Sequence, residues 1–199
     1  MNTIHTATKR DDANASVCWI AWESHRRNKE ITKALGIKLH EITAENTGLR
    51  YVKSIAATFR FILDSKPVTL IVMNPSVVLT LFSTIYAKAT FGNHVRKVVI
   101  DAHNIGVHFE HRVKIIQFLG KLINNACNQL SDRVIVTNKN LAEHIKKIGG
   151  EAFILPDCIP SFNEEKIKRI KLKGEKNILF ICTYSNDEPY MEVIDAARY

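Results

Sequence analysis

LSDRVIVTNKNLAEHIKKIGGEAFIL, residues 130–155, carries a whole strand–helix–strand unit in one window. Arg133 to Val136 reads as a strand, its Val134-Ile135-Val136 run lacking the polar alternation of a strand with one wet face. Leu141 to Ile148 has the spacing of a helix, with Thr137 or Asn138 placed to cap its start and Gly149-Gly150 placed to end it. Ala152 to Leu155 is a second apolar run. A doubly buried strand, an amphipathic helix and another short strand make a βαβ unit, which implies a parallel sheet.

The same alternation runs outward toward the amino terminus. Val17 to Trp22 reads as a buried strand, and Arg26 to Leu35 as a helix ended by Gly36. Lys38 to Ile42 is a short strand. Leu49 to Leu63 has apolar residues at 52, 55, 56, 59, 62 and 63, which is helical spacing with a polar opposite face. Val68 to Met73 is a β-branched strand, Ser76 to Ala89 an apolar helix capped by Ser76, Val98 to Ile100 a strand, and Val113 to Leu130 a long helix. Right-handed crossovers then predict an α/β fold: a Rossmann-like doubly wound parallel sheet over residues 16–160, preceded by a polar lead over 1–15. Pro156, Pro160 and the basic stretch to Lys176 read as a linker, 161–176. Asn177 to Cys182 reads as a fresh buried strand and Met191 to Arg198 as the start of a helix. Residues 177–199 are therefore expected to open a second Rossmann-like domain and leave it incomplete.

Composition narrows the function classes. With 199 residues, 46% apolar and 24% charged, the chain is ordinary globular protein rather than disordered or fibrous. A net charge of +8 favours anionic partners, but aromatics are not interleaved with the basic residues, which argues against nucleic acid. Cys18, Cys127, Cys158 and Cys182 lack metal or redox spacing and read as small buried hydrophobes in a reducing compartment. The first sixteen residues contain no apolar core of a signal peptide. Pro67 to Ala87 is uncharged over about one membrane span, but Asn74-Pro75-Ser76 in its middle makes strand, turn and helix the better reading.

Ligands of such sheets bind beyond the carboxyl ends of the strands. After the first strand come Glu23, His25, Arg26 and Arg27, where arginines at a helix start can meet phosphate or carboxylate; a solvated first turn is the competing reading. After the third come Asn74 and Ser76, able to bind sugar hydroxyls or simply to form a turn and a cap. After the fourth come Asp101, His103 and Asn104, with His103 as candidate base or substrate-orienting group. His103, His108 and His111 match no standard zinc spacing, so no metal is expected. No Walker loop, G-x-G-x-x-G or G-x-S-x-G is present, which argues against a P-loop NTPase, a dinucleotide oxidoreductase and a serine hydrolase.

Leu130 to Thr137, Asn140-Leu141-Ala142-Glu143-His144 and Gly149-Gly150 resemble the end of the amino-terminal domain of family 4 glycosyltransferases, where a "DRVIV(T/S)" strand leads into a helix beginning "LAE". Leu155-Pro156-Asp157-Cys158-Ile159-Pro160 is similar to that family's Ile-Pro-Asn type segment, with Asp157 in place of the more usual Asn. Val99 to Asn104 is similar to its fourth strand and His-bearing loop, and His25-Arg26-Arg27 with Glu30 and Leu35-Gly36 to the first loop and helix of polysaccharide-type members. The resemblance covers roughly residues 16 to 199. It implies a GT-B fold, with acceptor held by the amino-terminal domain and nucleotide-sugar, a co-substrate rather than a cofactor, held by the carboxy-terminal one.

It also implies a metal-independent mechanism in polysaccharide biosynthesis, with glycan or lipid-linked acceptors. The family's donor-binding Arg/Lys and paired glutamates have no counterpart up to Tyr199. The chain alone is therefore expected to be inactive, or to need a second polypeptide. The expected location is cytoplasmic, with peripheral contact at the inner face of a membrane as a variant. Competing readings are a non-catalytic Rossmann-like binding domain and another GT-B-like enzyme such as a sugar epimerase.

Overall fold

A computed structural model describes residues 16–43, 49–74, 76–89, 94–102, 107, 108, 111–157, 174, 177–182 and 188–197. The chain divides into two compact units, Met1–Pro160 and Ser161–Tyr199.

The first unit alternates strands and helices: β1 (Val17–Ala21), α1 (Arg26–Leu35), β2 (Lys38–Glu41), α2 (Arg50–Ser65), β3 (Thr69–Asn74), α3 (Val77–Lys88), β4 (Lys97–Ala102), α4 (Lys114–Leu130), β5 (Arg133–Val136), α5 (Lys139–Lys147) and β6 (Ala152–Ile154). The six strands form one sheet in the order β2-β1-β3-β4-β5-β6, and every pairing is parallel. This is a Rossmann-like doubly wound fold.

Chain direction decides which face each helix covers. The step from β1 to β2 runs one way across the sheet, and every later step runs the other way. Right-handed crossovers therefore place α1 on one face and α2 to α5 on the opposite face. The core follows this division. Ile31 of α1 packs with Trp19, Ile71 and Ile135 on one face. The other face buries Ile20, Val72, Ile100 and Val134 under Ile62, Leu79, Cys127 and Ile145 of the other four helices.

Local chemistry sets the element ends. Gly36 closes α1 in a left-handed conformation (φ 65°), and the Ile37 N–H returns to the Thr32 carbonyl at 2.9 Å. The Asn138 side chain caps α5 by accepting from the Leu141 N–H at 3.0 Å. Gly149 follows at φ 86°. Gly150 lies so close to α4 that a Cβ would sit 2.8 Å from the Asn128 carbonyl oxygen.

Two expectations are corrected. The apolar stripe expected to bury α2 faces outward in large part: Val52, Phe59 and Leu63 are exposed, while Ser54, Thr58 and Ile62 are buried. The cause is the hydrogen bond from Trp22 Nε1 to Thr58 Oγ1 (2.9 Å), which needs a short hydroxyl side chain against the sheet. In the second unit, residues 177–182 form no strand, and Ile178, Leu179 and Ile181 are exposed. A strand is held by ladder hydrogen bonds, and no neighbour among the described residues offers them. The only described helix of this unit is α6 (Tyr190–Ala196).

Candidate functional site

The sheet order creates a switch point. β1 and β3 are neighbours, yet α1 and α3, which follow them, lie on opposite faces. The loops after these strands diverge and leave the crevice in which doubly wound sheets hold ligands. The residues leaving β1 are Trp22 to His25, and those leaving β3 are Asn74 to Ser76.

Within the first loop, Glu23 is exposed and 3.6 Å from the Arg50 guanidinium at the start of α2. His25 is the N-cap of α1, its Nδ1 accepting from the Arg27 N–H at 3.3 Å. Arg26 is exposed at the first helical position, where the helix dipole favours an anion.

Arg27 behaves differently. Its guanidinium is buried, and it turns away from the crevice across the carboxyl ends of the more distant strands. It donates to Asp101 at the end of β4 (3.4 Å), to the Leu155 carbonyl (2.9 Å) and, in a close ion pair, to Asp157. Asp101 is as deeply buried as Arg27, whereas Asp157 is 64% exposed. The cluster pins the amino end of α1 to β4 and to the segment that leaves β6. A ligand phosphate would have to displace a carboxylate to reach this arginine. Asp157 was not legible as its partner, because 130 residues separate the two and no local pattern links them.

From the second loop, Asn74 is buried and donates Nδ2 to Asn124 Oδ1 of α4 at 2.7 Å. Ser76 caps α3, its Oγ accepting from the Leu79 N–H at 3.4 Å. The crevice thus brings Glu23, His25, Arg26, Asn74 and Ser76 to one edge, while Arg27 and Asp101 form a separate buried pair beside it. His103 and Asn104, the candidate catalytic and binding residues after β4, lie outside the described residues.

A second group of titratable residues was not foreseen. His108 and His144 of α5 meet edge to face with ring centroids 4.5 Å apart. Burial first, then the charges of His108 and Lys147, hold His144 below the ordinary histidine range. Among the described residues, no three His, Cys, Asp or Glu side chains converge as a metal site. No protein-family model matches the chain, and no curated protein matches it.

Proposed function

We propose that this chain is the acceptor-binding part of a glycosyltransferase similar to family 4, serving transfer of a sugar from a nucleotide-sugar to a glycan or lipid-linked acceptor. The observation that carries the reading is the switch point between β1 and β3, edged by Glu23, His25, Arg26 and Ser76, with Asn74 buried behind them. A hydroxyl-rich, anion-bearing acceptor can be held by this mixture of imidazole, hydroxyl, carboxylate and guanidinium beyond the carboxyl ends of the strands. In this reading His103 is the base or orienting group, and the donor-binding residues lie outside residues 1–199.

One observation favours a second reading, a non-catalytic binding domain or a subunit of a split enzyme. Arg27, the buried cation beside the crevice, is already bound by Asp101 and Asp157 and serves architecture.

The test is incubation of the purified chain with a panel of nucleotide-sugars and of phosphorylated or polyol acceptor analogues, read by nucleotide release and thermal shift. The transferase reading expects no nucleotide release, no stabilisation by donors, and stabilisation by an acceptor analogue that Arg26→Ala abolishes. Donor-dependent nucleotide release would place a donor site within residues 1–199 and refute the acceptor-only assignment. Stabilisation by none of the compounds would favour the binding-domain reading.

A further inference from the structure

Three adjacent helices of the first unit bury polar residues beside their core contacts Ile62, Leu79 and Cys127 and leave large apolar residues outside. Helix α4 buries Gly120, Asn124 and Asn128, and α3 buries Thr80, Ser83 and Thr84. Helix α2 does the same with Ser54 and Thr58. Surface helices ordinarily turn an apolar stripe to the core and polar residues to water. On α4 the outward stripe is instead Ile115 (68% exposed), Phe118 (67%), Leu119 and Leu122 (60%), at the i, i+3, i+4, i+7 spacing of one helix face. Ile85 of α3 continues it across the groove, and Phe59 of α2 is exposed next to Tyr86 of α3. Between α3 and α4 the surface opens into an apolar groove of about 480 Å³, walled by Leu81, Ile85, Leu122 and Ala126. An exposed apolar surface spanning three helices marks a docking site.

Charge selects the occupant. The three helices together carry six basic residues and one acid, Asp64; Arg50 and Lys88 meet Glu23 (3.6 Å) and Asp132 (3.9 Å), so Lys53, Arg60, Lys114 and Lys121 make up the positive surplus. A second copy seated on this face would bring two surfaces of the same net positive charge together, a like-charge arrangement that opposes association. Anionic lipid headgroups at a bilayer surface offer apolar chains and negative charge together. Among the described residues no helix is long and apolar enough to cross a membrane, so the contact must lie in the plane of the interface. We infer that the α2–α3–α4 face docks on an anionic membrane surface, with Ile115, Phe118 and Leu122 entering the acyl boundary and the lysines meeting the headgroups. This inference stands on the surface alone and is independent of the transferase reading.

The test is co-sedimentation of the full chain with vesicles of phosphatidylcholine alone or mixed with phosphatidylglycerol, alongside light scattering without vesicles. The chain is expected to pellet with the mixed vesicles, to stay in solution with phosphatidylcholine, and to be released by high salt. Phe118→Glu with Leu122→Glu should abolish pelleting while leaving the melting temperature unchanged, since both side chains are exposed. Lys114→Gln and Lys121→Gln should each weaken partition about fivefold. Phe118→Trp should shift its emission to the blue only with the mixed vesicles. Pelleting that is equal on both vesicle types, or unaffected by the double glutamate variant, would overturn the inference. A vesicle-free dimer that the same variant dissociates would do so as well, and would assign the face to a second copy.

Discussion

At the scale of single residues, the buried pair Arg27 and Asp101 governs the carboxyl edge of the sheet. Truncating one member of a buried ion pair strands the other in a low dielectric, at a typical cost of about 3–5 kcal/mol. Arg27→Met should therefore lower the free energy of unfolding by about that amount, measured by urea denaturation. Asp157→Asn should cost under about 1 kcal/mol, because its carboxylate is largely in water. A large effect of Asp157→Asn with none from Arg27→Met would invert this account. His144 supplies a pH prediction. Its folded pKa lies below its unfolded one, through burial first and then His108 and Lys147. The unfolded chain thus binds more protons between the two values, so stability is full above the ordinary histidine pKa and is lost as pH falls through it. His144→Gln should lessen the fall in urea midpoint between about pH 7.5 and 5.5, astride that value. His40, lowered by burial and by Lys38, leaves a residual slope. The identities of the pairs at this scale were the least legible in the sequence, since Arg27, Asp101 and Asp157 meet only through the fold.

At the scale of elements, the strands and helices were legible because their signals are local. Apolar runs such as Val134 to Val136 announce doubly buried strands, and Gly36, Ser76 and Asn138 mark helix ends by chemistry that acts within one turn. Which way a helix faces was not legible. Spacing at 52, 59 and 63 shows a stripe but carries no sign for inward or outward, and the hydroxyl of Thr58 and the amide of Asn124 settled it through partners on β1's exit and β3. The junction of α5 with β6 gives the sharpest prediction at this scale. Gly150→Ala drives a methyl group against a backbone carbonyl and against Ile145 Cγ2 at 2.9 Å. Backbone cannot swing aside as a side chain can, so a loss of about 1–3 kcal/mol is expected, read as a lowered melting temperature. Asn138→Ala, which removes the α5 cap, should cost about 1 kcal/mol. If Gly150→Ala proved neutral while Asn138→Ala did not, the close approach of α5's end to α4 would be wrong.

At the scale of the whole molecule, the two units differ in what holds them. The sheet of the first is paired on every internal strand and covered by helices, so its core closes within residues 16–157. In the second, none of the described residues is buried. The strand expected at 177–182 reads correctly as an apolar run, but an apolar run specifies a strand only where a sheet edge accepts it. Two outcomes follow from this asymmetry. Residues 1–160 expressed alone should unfold cooperatively in urea, with the midpoint of the intact chain, because the buried contacts are retained. Hydrogen exchange of the intact chain should show protected amides in β1, β3 and β4 and unprotected ones from Ile178 to Cys182, where no ladder shields them. A lower midpoint for 1–160, together with slow exchange at 178–182, would mean that this segment contributes to the stability of the chain in solution, and the division into a cored and an uncored unit would fail.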